Sequence, residues 1–202
     1  MRFGTLALLA LLLASTLIAQ TALERRVEGN TLISAADPAV SLTFDKAFVY
    51  AGGQSIDIFK VAGAEQYFFI DAGADRSVRR FYWVQFEHYY PDNKEVYDYS
   101  SIPQKPVELG RLAFMGDVRV RPRYFTMDDR RGSDSMAAAD LLRTKGYRLD
   151  GTFATLRLFH LPDDTKRREL MVIYGEAVSP RASEQAAAAQ ITAHARANVT
   201  VR

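Results

Sequence analysis

Alternating apolar and polar positions predict β-strands along most of the chain after residue 30. In residues 41–50 the apolar side chains Leu42, Phe44 and Phe48 occupy alternate positions. This is typical of a strand with one buried face, because successive side chains point to opposite faces. Further strands are predicted at 55–61 and 66–72, with glycine-containing turns at 51–54, 62–65 and 73–77. Strands joined by turns this short pair antiparallel, since parallel neighbours need longer crossovers, so the fold begins as a meander.

The longest predicted strand, residues 78–90, breaks this alternation. Its segment FYWVQFEHYY, residues 81–90, combines six aromatic residues with an amide, a carboxylate and a histidine. Neither of its faces is simply polar, which predicts that both are covered. One face mixes large aromatics with an amide and a carboxylate, a combination typical of a pocket wall. The side chains of that face are Phe81, Trp83, Gln85, Glu87 and Tyr89.

This aromatic strand is open to three interpretations. The aromatic residues could fill the core on both faces, they could line a cavity for a small ligand or lipid, or they could form a surface for a protein partner. Two neighbouring apolar strands, QYFFI and LMVIY, indicate that the centre of the sheet is covered on both sides. A curved sheet around a helix and a closed barrel with a lined interior both satisfy that pattern.

The second half of the chain predicts more strands and two helices. Residues 111–121 alternate as a one-sided strand, and 152–161 with 168–178 form a hairpin. An internal helix is expected at 135–145, capped by Ser133 or Asp134 and ended by Gly146. A terminal helix is expected after Ser179, with a mostly alanine apolar face. The predicted class is α+β: a curved, mostly antiparallel sheet of seven or eight strands, an internal helix and a C-terminal helix.

The N-terminus has the pattern of a secretory signal peptide. Arg2 precedes an apolar run from Leu6 to Leu13, which is shorter than the roughly 20 residues that a membrane-spanning helix needs. We expect a signal peptide at 1–19, a flexible leader at 20–30, one domain at 31–178 and a C-terminal helix or tail at 179–202. With no cysteine in the chain, this predicts an exported bacterial protein, in the periplasm, whose contact with membrane is limited to the signal segment.

Charge and motifs set several function classes aside. The net charge of +2 lacks the basic excess of a nucleic-acid binder. The chain has no cysteine nucleophile, no G-x-S-x-G elbow and no phosphate-binding glycine loop. Glu87 and His88 are adjacent, but on a strand they point to opposite faces and cannot converge on one metal. The sequence therefore predicts no catalytic residue, no metal site and no cofactor, and it favours a protein that is not an enzyme.

The leading functional hypothesis is binding of a small apolar or amphipathic ligand, including a lipid, in a cavity lined by the five residues from Phe81 to Tyr89 named above. The alternative is an envelope protein that binds a protein partner through the tyrosine-rich segment 89–99. An enzyme is the third hypothesis, and it rests on His88.

Overall fold

A computed structural model of the chain describes residues 23–126 and 130–202. The predicted signal peptide, residues 1–19, lies outside these ranges. The described residues form an α+β fold with two antiparallel sheets and two α-helices, which confirms the predicted class. Within the described ranges, neither helix is both long enough and apolar enough to cross a membrane.

The larger sheet has seven strands and joins two meanders. Its strands are β4 (Val49–Ile58), β5 (Ala62–Ala72), β6 (Val78–Tyr89), β7 (Lys105–Leu109), β8 (Leu112–Pro122), β9 (Thr152–His160) and β10 (Arg168–Val178). Their order across the sheet is β4-β5-β6-β10-β9-β8-β7. The first meander, β4 to β6, therefore meets the second, β7 to β10, through the antiparallel pair β6–β10. The sheet is open, with β4 and β7 at its edges.

The smaller sheet has four strands, which come from both ends of the described chain. They are β1 (Arg26–Glu28), β2 (Thr31–Ser34), β3 (Val40–Phe44) and β11 (Val199–Val201), in the order β1-β2-β3-β11. The expected flexible leader thus contributes a paired strand, and Val27 within it packs against the core. The C-terminal tail also ends in a paired strand, β11.

Three local predictions differ from the structure at the start of the chain. The turn expected at 62–65 lies inside β5, and the chain reverses at 59–61 instead. The strand expected at 41–50 is two strands of different sheets, because the Asp45 side chain accepts a hydrogen bond from the amide of Ala47 and turns the chain there. The turn expected at 51–54 lies inside β4. Its glycines accommodate a β-bulge at Tyr50 and Gly52 instead of reversing the chain.

The helices cover opposite faces of the larger sheet. Helix α1 (Asp134–Thr144) is capped by Ser133 and followed by Gly146 with a positive φ of 80°, as predicted. Helix α2 (Glu184–Ala197) begins after the cap Ser183, four residues later than Ser179. A short 3-10 helix, Tyr124–Thr126, precedes α1.

The central strand β6 is covered on both faces, as its sequence predicted. Tyr82, Val84 and Phe86 point into a core shared with the smaller sheet and α2. Phe81 and Trp83 point into a second core, which includes Ala138 and Leu142 of α1. The molecule is therefore layered, with the seven-stranded sheet in the middle.

Candidate functional site

The five predicted site residues lie on one face of β6, and helix α1 divides them into two groups. Phe81, Trp83 and Gln85 are fully buried in the layer between the sheet and α1. Glu87 and Tyr89 lie beyond the helix, where both line a cavity. The structure thus brings Glu87 and Tyr89 together at a cavity, and it packs Phe81, Trp83 and Gln85 in the core. His88 points away from this layer and is exposed.

A row of hydrogen-bonded glutamines connects α1 to that cavity. Gln54, Gln66 and Gln85 stand directly opposite one another on β4, β5 and β6. Gln54 Nε2 donates to Gln66 Oε1 at 2.8 Å, and Gln66 Nε2 donates to Gln85 Oε1 at 2.9 Å. The same two amide groups donate to backbone carbonyls of α1, at Ala137 and Asp134. Gln85 then donates to Glu87 Oε2 at 2.6 Å, so the row ends at a carboxylate.

The cavity has a volume of about 380 Å³ and lies between the start of β10, the end of β6 and the connection that follows β6. That connection, residues 90–104, must pass β10, β9 and β8 to reach the edge strand β7. We call this space the carboxyl cavity, because four acidic side chains line it. Its lining residues are Glu87, Tyr89, Val96, Tyr97, Asp98, Tyr99, Asp134, Arg157, Phe159, Glu169 and Met171.

Glu87 and Glu169 form a pair across two neighbouring strands. They are directly opposite in the β6–β10 ladder, where side-chain Cβ atoms are about 4.5–5.5 Å apart. Like charges placed this close on a sheet are unfavourable. The pair is therefore unfavourable when both carboxyl groups are ionised.

Each carboxyl group receives a tyrosine hydroxyl from the connection above it. Tyr97 Oη donates to Glu87 Oε1 at 2.8 Å, and its ring stacks on Tyr89 with centroids 4.5 Å apart. Tyr99 Oη donates to Glu169 Oε2 at 2.5 Å, and its ring stacks on Phe159 at 4.1 Å. These contacts fix the tyrosines against the sheet and close one side of the cavity.

The second carboxylate oxygen of Glu169 is an exception to the general pairing of buried polar atoms. Glu169 is only 3% exposed, and its Oε1 has no hydrogen-bond partner among the described residues. Buried polar atoms are almost always paired, and an unpaired one costs about 1–3 kcal/mol. Glu169 Oε1 therefore has a hydrogen-bonding capacity that the described residues do not use.

Burial and the neighbouring charge of Glu87 raise the pKa of Glu169 to about 8. The hydrogen bond from Tyr99 and the charge of Arg157 act in the opposite direction, and Asp134 adds to the increase. Burial also raises the pKa of Glu87, against the hydrogen bonds from Tyr97 and Gln85. At neutral pH the Glu169 carboxyl group thus retains its proton and can donate it.

Among the described residues that line this cavity one is basic, and its side chain already has a partner. Arg157 Nε is 3.0 Å from Asp117 Oδ1, and a second nitrogen is 3.1 Å from Oδ2. The Asp117 carboxylate is fully buried. Asp117 also pairs with Arg119 at 3.3 Å, so Arg157 shares this carboxylate and its charge still acts to lower the pKa of Glu169. Among the described lining residues, acidic ones outnumber basic ones by four to one.

A second cavity adjoins the first across the Tyr97–Tyr99 segment. It has a volume of about 540 Å³ and shares Tyr97, Asp98, Tyr99 and Phe159 with the carboxyl cavity. Its remaining wall has an apolar part that includes Phe114, Met115 and Leu161, and a polar part that includes His160 and Lys166. An acidic cavity therefore lies beside a partly apolar one.

Sequence reasoning did not single out Glu169, Tyr97 or Tyr99 as parts of this cavity. Glu169 directly precedes the apolar run LMVIY, and an acidic residue at that position was the available signal. Its pairing with Glu87 depends on the register between strands 80 residues apart in the chain, which no local pattern reveals. The tyrosines of the 89–99 segment, expected as a partner surface in the alternative hypothesis, direct their hydroxyl groups inward at 97 and 99.

The arrangement offers hydrogen bonding, proton exchange and an acidic environment beside aromatic rings. Among the described residues, no group of three or more His, Cys, Asp or Glu side chains is placed to hold a metal ion. Comparison of the chain with protein-family models, with curated proteins and with solved structures finds no match.

Proposed function

We propose that this protein binds a small amphipathic ligand in the carboxyl cavity. The observation that carries the proposal is Glu169 Oε1, a buried carboxylate oxygen without a partner among the described residues. A ligand polar group that reaches this atom would remove an energetic cost that the free protein bears.

The size and composition of the two adjoining cavities support the same proposal. About 380 Å³ lies at the small end of the range for ligand sites. A polar group of the ligand would occupy the carboxyl cavity, and its apolar part would contact the rings of Tyr99 and Phe159 or extend toward the neighbouring apolar wall. The dimensions suit a small molecule or the headgroup of a lipid.

The native mass of the protein tests the proposal. The mature protein is released from its own cell envelope under mild conditions, and its mass is recorded before and after denaturation. We expect an added mass on the order of a few hundred daltons, consistent with a cavity of this size, that is lost on denaturation.

A matched pair of variants locates the bound molecule. Val96 lines the carboxyl cavity and is exposed, so Val96→Trp places a large ring at its mouth without disturbing the core. Val49 is similarly exposed on the edge strand β4, away from the cavity, which makes Val49→Trp the control. Loss of the added mass in the first variant alone would support the proposal. A wild-type mass equal to that of the polypeptide, or equal retention of the added mass by both variants, would contradict it.

A further inference from the structure

We infer that the ligand of the carboxyl cavity is an organic cation, with an ammonium group between Glu87 and Glu169 and an apolar body against the aromatic wall. This inference rests on the proposed function, because it assigns the chemical class of the ligand for that same cavity.

The charges that face the cavity favour a cation over an anion. Glu87, Asp98, Asp134 and Glu169 line it. Arg157 also lines it, but its guanidinium group is held by the buried Asp117, which it shares with Arg119. A ligand anion would face four acidic residues and one arginine that is already bonded to Asp117, among the described lining residues, whereas an ammonium group would be attracted.

The hydrogen-bonding needs of the pair identify the kind of cation. Glu169 Oε1 lacks a donor, and Glu87 on the opposite strand already accepts two hydrogen bonds. A primary ammonium group carries three N–H donors on one compact charge. It can donate to Oε1 and still interact with Glu87, because directly opposite side chains lie about 5 Å apart.

Aromatic rings around the pair fit the same class of ligand. Tyr89, Tyr97, Tyr99 and Phe159 all line the cavity. Cations are attracted to the faces of aromatic rings, more strongly where water is excluded. Rings and carboxylates together therefore recognise a charged head on an apolar body, which neither would do alone.

Binding of such a cation is expected to release a proton. The titratable groups that share the cavity with Glu169 come from four elements: Glu87 and Tyr89 on β6, Tyr97, Asp98 and Tyr99 on the connection, Asp134 at the start of α1, and Arg157 on β9. With a pKa of about 8, the Glu169 carboxyl group is protonated at neutral pH in the free protein. A cation binds the ionised form of Glu169 better than the protonated form. Its affinity therefore rises with pH until Glu169 is already ionised in the free protein.

Ligand pairs that differ only in charge provide the experiment. Benzylamine, 2-phenylethylamine and hexylamine are titrated into the mature protein by calorimetry, beside benzyl alcohol, 2-phenylethanol and hexanol. We expect at least one amine to bind about tenfold or more tightly than its alcohol, the ratio that one charge-assisted hydrogen bond supplies. Between pH 6 and pH 8.5 its affinity should rise up to roughly eightyfold, because the ionised fraction of Glu169 rises by that factor.

Two variants separate the site from general effects of charge. Glu169→Gln retains the side-chain shape but removes the ionisable group, so it should abolish both the preference for the amine and the pH dependence. Glu176→Gln makes the same change on the same strand, at a glutamate that instead contacts Tyr174 and His194. It should leave both properties unchanged. Vesicles of phosphatidylethanolamine that compete with the amine would identify a lipid headgroup as the source of the ammonium, and vesicles that do not compete would indicate a free amine.

Equal affinity for amine and alcohol, or the same pH dependence in Glu169→Gln as in the wild type, would overturn the cation inference. Failure of all six compounds to bind would overturn it as well. None of these three results decides the proposed function, which depends on the native mass and on the variants at positions 96 and 49.

Discussion

Replacing Glu169 with glutamine should change how the stability of the protein depends on pH. Glutamine is close in shape to glutamate and keeps an oxygen that can accept the Tyr99 hydroxyl. It cannot ionise, so the buried side chain no longer acquires a charge as the pH rises.

The sign follows from the raised pKa of an acidic group. The folded protein holds the Glu169 proton up to about pH 8, whereas the unfolded chain releases it near the ordinary value of 4.5. The protonated Glu169 therefore makes its full contribution to wild-type stability below about pH 4.5, and this contribution declines as the pH rises to about 8. At about 1.4 kcal/mol per pH unit, the interval corresponds to at most about 5 kcal/mol. Water entering the cavity would reduce this figure.

Urea unfolding at pH 5, pH 7 and pH 8.5 measures the effect, with the fluorescence of Trp83, the only tryptophan, as the signal. Between pH 5 and pH 8.5 we expect the stability of Glu169→Gln relative to wild type to increase by several kcal/mol, because the wild type loses stability as Glu169 ionises. Glu176→Gln, the control on the same strand, should show no comparable trend. Parallel pH profiles for Glu169→Gln and wild type would refute the claim that Glu169 is buried and protonated.

Three further changes test the surroundings of the cavity. Tyr99→Phe keeps the ring stack but removes a hydrogen bond that favours the ionised form of Glu169. The pKa of Glu169, measured by carbon NMR, should therefore rise further above its ordinary value, and a lower pKa would contradict this. Gln66→Met leaves Gln85 Oε1 without its donor and should cost about 1–3 kcal/mol in urea unfolding, with faster amide exchange in α1; unchanged exchange would show that the glutamine row does not hold the helix. Gly175→Ala places a methyl group against the ring of Phe81 and should lower the free energy of unfolding by about 1–3 kcal/mol or more. Phe81→Leu should destabilise the protein less in the Gly175→Ala background than alone, and strictly additive effects of the two changes would refute the clash.

The local pattern of the chain was sufficient to predict strand β6 and its surroundings. Six aromatic residues without alternation indicated that both faces are covered, and the two cores on either side confirm this. The hairpin of β9 and β10 and the caps of α1 were also readable, since they depend on residues close together in the sequence.

Other features depend on contacts that local patterns do not encode. Strands β1 and β11 have three residues each, too few for a recognisable period. Strand β11 forms against β3, near the other end of the described chain. The candidate site also depends on contacts between residues far apart in the chain. Glu87 could be identified as a polar residue in an aromatic strand, but its partner Glu169 is brought to it by the β6–β10 register. The tyrosines above them are positioned by a connection that crosses three strands.

Carbon NMR of glutamate carboxyl groups, recorded at pH 7 with and without 2-phenylethylamine, tests the central claim most directly. Glu169→Gln identifies the Glu169 resonance by its absence. The account predicts a protonated carboxyl group in the free protein that shifts to the ionised form as the amine saturates the site. A Glu169 resonance that is already ionised in the free protein, or one that does not move at saturating amine, would contradict it.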